Sequence, residues 1–153
     1  MSFPQTTMVR RPAARYVRAM DFGLRAGMPS VELVVEASTS AVWEVLTDLE
    51  KWPRWGPTVT GARPATPGPL VLGSRGSVRT PVGLWVPFEI TEFVDGRLWA
   101  WRVAHVPATR HEVIPASSGC TVRFGVPLWA PAYLAVMAVA LPRVARLAAE
   151  RDA

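Results

Sequence analysis

The sequence lacks the features that mark secreted and membrane-spanning proteins. Its 153 residues include one cysteine, Cys120, which cannot form an internal disulfide. The chain does not open with a charged start followed by an apolar run, as a secretory signal does. The apolar stretch at residues 126–141 is interrupted by Pro127 and Pro131 and is shorter than the roughly 20 residues of a spanning helix. We therefore expect an intracellular protein, located in the cytoplasm, in which this stretch is buried or faces a cavity.

Motifs of the common catalytic and nucleotide-binding sites are also missing. The sequence has no Gly-x-Ser-x-Gly elbow, phosphate-binding loop, dinucleotide-binding glycine pattern or paired metal-ligand motif. Cys120 has no cationic neighbour before Arg123, so a catalytic thiolate is not expected. Glu112 is adjacent to His111 but points to the other face of its predicted strand, which disfavours a zinc site. No metal and no cofactor are expected.

Positive charge is concentrated at the N-terminus. The net charge is +5, and residues 1–30 supply +4 of it through five arginines against Asp21. The other 123 residues are therefore near +1. A nucleic-acid-binding domain carries its basic patch on the folded body, so no nucleic-acid partner is expected.

Residues 1–29 form a basic tail ahead of the predicted domain at residues 31–150. Ala13, Val17, Met20 and Leu24 recur at spacings of three and four with arginines beside them, the pattern of a weak basic amphipathic helix. Three alternatives stay open for this tail: peripheral contact with an anionic membrane through residues 9–25, packing against the domain, or disorder.

The rest of the sequence predicts an α+β domain. A strand at residues 31–36 leads into a helix with apolar positions Val42, Val45, Leu46 and Leu49, and Pro53 forces a second short helical turn. Residues 132–150 indicate a long helix with cations near its C-terminal end. Six strand-like segments separated by Gly and Pro lie between them, at about residues 58–65, 76–82, 85–93, 98–106, 110–114 and 121–126.

This order of elements resembles the helix-grip fold of the SRPBCC superfamily. The motifs that carry the resemblance are the helix and its Trp-Pro-x-Trp turn at residues 42–55, His111, and the segments 73–76, 87–92, 101–103 and 119–122. The resemblance covers about residues 31–150. It implies a curved antiparallel sheet of about seven strands around a long C-terminal helix, with two short helices after the first strand. Relatives include START-type lipid carriers, plant pathogenesis-related proteins and polyketide cyclase/dehydrase proteins, so it also implies a cavity for a hydrophobic ligand.

Two histidines are the candidate catalytic residues. Residues 107–109 separate two predicted strands, and a hairpin centred near residue 108 would set His105 opposite His111 and Val103 opposite Val113. On the concave face, both imidazoles would hold a polar ligand group or act as general acid and base. The competing interpretation places one or both rings at the sheet rim without chemistry.

Aromatic and apolar side chains are the candidate ligand-binding residues. Seven tryptophans are present, and several of them can form the floor under a flat or polycyclic ligand. Trp43 and Trp52, on the first helical unit, are expected to pack in the core instead. The predicted ligand-binding set is Trp101, Val103, Val113, Trp99, Phe88, Phe124, Trp129, Tyr133 and Met137.

Three functions are compatible with these patterns. The first is binding or transport of an apolar small molecule such as a lipid, polyketide or isoprenoid. The second is a cofactor-independent cyclase or dehydratase in which His111, with or without His105, moves protons. The third is a membrane-peripheral interaction protein that uses the basic tail.

Overall fold

The computed structural model describes residues 20–153, which form one antiparallel sheet with a long helix packed across it. Eight strands follow one another in the spatial order β1-β2-β8-β7-β6-β5-β4-β3. The predicted α+β helix-grip fold is confirmed, with one strand more than the seven expected. The elements are β1 (Asp21–Arg25), β2 (Met28–Val35), α1 (Thr39–Thr47), α2 (Trp52–Trp55), β3 (Gly61–Pro64), β4 (Arg75–Arg79), β5 (Trp85–Val94), β6 (Leu98–Val103), β7 (Val106–Pro115), β8 (Cys120–Gly125) and α3 (Leu134–Asp152).

The two short helices are fixed by side-chain hydrogen bonds. The Ser38 hydroxyl caps α1 by accepting from the Ala41 amide at 3.1 Å. The Trp52 indole donates to the Leu46 carbonyl at 2.9 Å, and the Trp55 indole donates to the Val45 carbonyl at 3.2 Å. Both indoles thus satisfy carbonyls at the end of α1 that the helix itself leaves free. The Trp-Pro-x-Trp turn is therefore locked under α1 with both rings buried.

The N-terminal segment differs from the sequence prediction. Residues 21–25, expected in an amphipathic helix or a tail, form the edge strand β1, which pairs with β2 through the two-residue turn Ala26-Gly27. The spacing of Met20 and Leu24 is typical of a helix, but residues 21–25 form a strand because β2 offers them an unpaired edge. The part of the tail prediction that concerns residues 1–19, including membrane contact through residues 9–25, falls almost wholly outside the described residues.

The predicted position of the hairpin turn, near residue 108, is wrong. The turn between β6 and β7 lies at Ala104-His105, both with positive φ (49° and 64°), and pairs Val103 with Val106. On β6, His111 is therefore opposite Trp99 rather than His105, and Val113 lies beyond the Leu98–Glu112 pair, far from Val103. Positive φ is uncommon outside glycine, so Ala104 and His105 did not mark the turn in the sequence. The composition of residues 107–109 indicated a turn that the structure does not have.

Helix α3 supplies the inner wall of the core. Its buried residues recur at helical spacing and pack against α1, β2 and β8: Met137, Ala140, Leu141, Val144, Leu147 and Ala148. Together with the preceding turn, Pro131–Asp152 is long and apolar enough to span a membrane by length and composition alone. Because one face of the helix is part of the hydrophobic core, we assign α3 to the folded domain.

Candidate ligand-binding site

An open pocket of about 520 Å³ lies between the sheet and the start of α3. Four connections surround it: α2 to β3, β4 to β5, β6 to β7, and β8 to α3. All four lie at the same end of the antiparallel sheet, because β4, β6 and β8 end there and β5 and β7 begin there. The main wall residues are Trp101, Val103, Val86, Val78, Trp129 and Tyr133. The volume lies within the range of small-molecule sites.

The pocket is apolar, with four hydroxyl groups at its wall. Thr58, Thr80, Thr109 and Tyr133 supply them, and no charged side chain among residues 20–153 lines it. The Thr58 and Tyr133 hydroxyls hydrogen-bond each other at the pocket wall. Burial raises the pKa of Tyr133, against a smaller opposing effect of the Thr58 hydrogen bond, so the phenol is neutral at physiological pH.

A short hydrogen-bonded chain leads from the pocket wall into the core. The Trp101 indole donates to the Thr109 hydroxyl at 3.0 Å, and that hydroxyl is 3.1 Å from His111 Nε2. Since the indole is only a donor, the Thr109 hydroxyl is free to donate its own proton to Nε2. A β-bulge, in which Ala108 and Thr109 both face Trp101 of β6, places Thr109 in this bridging position.

His111 itself is buried behind Thr109. It is 1% exposed and stacks on Trp99 with ring centroids 3.9 Å apart. Its Nδ1 has no hydrogen-bond partner of good geometry in the described part of the chain. Burial lowers the pKa of His111 to about 3, with a smaller opposing contribution from the Trp99 backbone. The imidazole is therefore neutral at physiological pH and does not line the pocket.

The aromatic residues around His111 fill the inner half of the predicted cavity. Trp99 stacks on Trp52 at 5.2 Å as well as on His111, and Phe124 meets the His111 ring edge-on at 5.0 Å. Phe88 packs on Trp52 at 5.3 Å. Each of these rings is at most 3% exposed. This aromatic block, defined by Trp52, Trp99, His111, Phe124 and Phe88, is part of the buried core.

The predicted ligand-binding set therefore divides in two. Trp101, Val103, Trp129 and Tyr133 line the pocket as expected. Val113, Trp99, Phe124 and Met137 are core residues away from it, and Phe88 is a core residue that borders depressions elsewhere. For the aromatic members the division follows from α2, because Trp52 packs on Trp99 and Phe88 and Trp55 packs on Phe124.

His105 is not part of this pocket. It lines a separate depression of about 420 Å³ with Arg63, Arg75, Glu89 and Arg102. The side chains of these strand residues alternate with core residues, so the depression is on the opposite face of the sheet. The predicted pairing of the two histidines in one cavity is corrected: the hairpin turn sends His105 outward and the strand register sends His111 inward.

Several pocket residues carried no sequence signal. Thr58 and Val59 are in an irregular connection, and Pro107 and Ala108 are in a segment that the sequence predicted as a turn. Thr109 reaches the pocket only because of the bulge, which no composition pattern marks. Within residues 20–153, no three His, Cys, Asp or Glu side chains gather in a way that would hold a metal ion.

Comparison with solved structures supports the fold. A protein from Nitrosomonas europaea aligns with a TM-score of 0.62 at 17% identity, over 84% of this chain and 99% of its own. An AHSA1-like protein from Aeromonas hydrophila aligns with a TM-score of 0.63 at 18% identity, over 80% and 92%. A protein from Mesorhizobium loti aligns with a TM-score of 0.65 at 14% identity, over 81% and 98%. At these identities the likeness concerns the fold alone.

Comparison of sequences identifies the family. No curated protein matches the sequence significantly. The family model described as polyketide cyclase / dehydrase and lipid transport matches residues 28–151, from the start of β2 almost to the end of α3. The match spans every element that forms the pocket. The chain therefore belongs to the polyketide cyclase / dehydrase and lipid transport family, within the SRPBCC superfamily.

Proposed function

We propose that this protein binds a neutral, largely apolar small molecule in the pocket between Trp101 and Tyr133. The observation that carries the proposal is a 520 Å³ apolar space whose lining includes no charged residue in the described chain. Trp101, Trp129, Val103 and Val86 offer it apolar area. Membership of a family named for cyclases, dehydrases and lipid transport is consistent with a ligand of this kind.

The charge of the ligand follows from the lining. A carboxylate or phosphate moved from water into an apolar site costs free energy unless a cation or several donors compensate it. The Tyr133 phenol in the wall is neutral, and the His111 imidazole behind Thr109 is neutral as well. Ionised fatty acids and phosphorylated isoprenoids are therefore disfavoured, whereas alcohols, ketones and neutral polyketides fit.

We expect the polar end of the ligand to lie beside the hydroxyls of Thr58 and Tyr133. Their hydroxyls satisfy each other when the pocket contains no ligand, and either can donate to a ligand oxygen while still accepting from its neighbour. This pair would orient a hydroxyl or carbonyl group while the rest of the molecule contacts the Trp101 side of the pocket.

A matched pair of probes tests the charge preference. Dodecanol and dodecanoate share an alkyl chain and differ in their head group, and the fluorescence of Trp101 and Trp129 reports their entry. At pH 8 we expect the alcohol to bind at least about tenfold more tightly than the carboxylate. Equal or tighter binding of dodecanoate, or no fluorescence change with any neutral amphiphile, would refute the proposal.

Hydroxyl deletions test the polar anchor. Tyr133→Phe and Thr58→Val should each weaken dodecanol binding by roughly 3- to 10-fold, the loss of about one hydrogen bond. Thr121→Val is the matched control, because Thr121 alternates with the core residues of β8 and lies on the other face of the sheet. A loss in Thr121→Val as large as in Thr58→Val would contradict the assignment.

Catalysis by a cyclase or dehydratase is the second candidate function. The observation that favours it is the Thr109 hydroxyl, which joins the pocket wall to His111 Nε2 and gives a proton a route between them. His105 faces away from the pocket and has no role in this scheme. If a polyketide substrate is found, His111→Gln and Thr109→Val should both reduce turnover while His105→Gln does not.

A further inference from the structure

The mouth of the pocket is ringed by exposed apolar side chains. Val82 and Leu84 are 81% and 64% exposed on the β4 to β5 hairpin, and Leu128 and Trp129 are 71% and 67% exposed before α3. Val106 of β7, 44% exposed, completes the ring. We call these five residues the apolar collar. Val106 and Trp129 themselves line the pocket, and Pro81, next to Val82, lines it too, so the collar lies beside the pocket.

The apolar collar lies at an end of the domain whose loops contain no acidic residues. The sequence has no Asp or Glu at positions 51–88, 96–111 or 113–149, and these ranges contain the loops around the pocket. Two cations lie at this end of the sheet: Arg63, on the sheet face opposite the pocket, has its guanidinium 4.0 Å from the Trp85 ring centroid, and Arg79 lies against the turn at Gly83, between Val82 and Leu84. Neither arginine forms a salt bridge within residues 20–153.

The opposite end of the sheet has apolar residues but a different charge. Leu72 and Val94 are 63% and 52% exposed there. Their neighbourhood includes Asp95, in the β5 to β6 turn, and Glu36, directly after β2. Exposed apolar area is thus common to both ends. What distinguishes the pocket end, among the described residues, is exposed tryptophan, at Trp85 and Trp129, in loops without a carboxylate.

We propose that the apolar collar docks the mouth of the pocket onto an anionic membrane surface. Tryptophan and arginine together are favoured at the bilayer interface, where the apolar part enters the acyl boundary and the cation meets lipid phosphate. A second copy of the chain fits less well, because two facing collars would bring four arginines together without a carboxylate. Docking in this way would let a ligand pass between bilayer and pocket without crossing water.

This docking is independent of the proposed ligand. Trp129 and Val106 belong to both the collar and the pocket lining, but the variants that test docking change Val82, Leu128 and the two arginines, which lie outside the lining. It also differs from the membrane contact through residues 9–25, since it assigns binding to the folded body. Failure of ligand binding would leave the docking proposal standing, and the reverse also holds.

Vesicle flotation of the full-length protein tests the proposal. We expect binding to vesicles of phosphatidylcholine with phosphatidylglycerol, and weaker binding to phosphatidylcholine alone. The double variant Val82→Ser/Leu128→Ser should reduce binding at least about tenfold, because two exposed aliphatic side chains no longer enter the bilayer. Arg63→Gln/Arg79→Gln should reduce binding to the anionic vesicles by more than about fivefold and flatten its salt dependence.

The control is Leu72→Ser/Val94→Ser, which removes two exposed apolar residues from the opposite end. Equal loss in this control, or no loss in Val82→Ser/Leu128→Ser, would overturn the proposal. Replacing Arg10, Arg11, Arg15 and Arg18 by glutamine measures how much the tail contributes to vesicle binding. If that change alone abolishes binding, the tail and not the collar is the docking surface. Absence of vesicle binding by the unaltered protein, with a dimer that Val82→Ser/Leu128→Ser dissociates, would show that the collar is a self-association surface.

Discussion

The two halves of the space between the sheet and α3 have the same residue types, but one half is packed core and the other is an open pocket. The inner half is the aromatic block, in which Trp52, Trp99 and His111 stack as buried core residues. The outer half, walled by Trp101 and Tyr133, is open. The difference is α2, which packs Trp52 on Trp99 and Trp55 on Phe124 in the inner half and is tied to α1 by two indole hydrogen bonds. The Trp-Pro-x-Trp turn therefore sets the depth of the pocket.

A pair of tryptophan substitutions tests this comparison most strongly. Trp52→Ala removes a ring that is 1% exposed and in contact with Phe88, Trp99 and Trp101. We expect the free energy of unfolding to fall by about 3–5 kcal/mol, as for other buried aromatic residues truncated to alanine. Trp129→Ala, on the exposed collar, should cost less than about 1 kcal/mol. Denaturant titration of both variants measures the difference, and similar losses would mean that the halves are not distinct.

The pH dependence of stability gives the next largest effect. The pKa of His111 is about 3 in the folded state and about 6.5 when unfolded, so the unfolded chain binds a proton first as pH falls. The contribution of the neutral ring is complete above pH 6.5 and is lost between about pH 6.5 and 3. From pH 7 to pH 5 we expect a loss of about 2 kcal/mol from this group.

Two variants isolate that contribution. His111→Leu should lower stability at neutral pH but remove most of the slope between pH 7 and pH 5. His105→Gln, at an exposed hairpin turn, should retain the full slope. Urea denaturation at the two pH values is the measurement. A slope that disappears in His105→Gln and persists in His111→Leu would refute the assignment of the buried histidine.

The comparison also shows where the sequence was informative. Element order, the helix-grip fold and the packing of Trp52 followed from periodicity, proline positions and family motifs, which are local signals. The pairing of His105 with His111 failed because a two-residue turn of Ala104 and His105 has no glycine or asparagine to reveal it. The sequence did not predict that the ligand-binding set divides in two, because burial of its inner residues under α2 is a tertiary effect that strand alternation does not encode.

Thr109 tests the boundary between the two halves, with the smallest effect. Thr109→Val removes the hydroxyl that accepts from Trp101 Nε1 and contacts His111 Nε2. The loss of a buried partner costs about 1–3 kcal/mol, but Trp101 borders the open pocket, where water can replace the hydroxyl. We therefore expect a cost near the lower limit, about 1 kcal/mol, and nearly full recovery in Thr109→Ser. If Thr109→Val costs as much as Trp52→Ala, the region around Thr109 is dry core, and the open half begins farther out than Trp101.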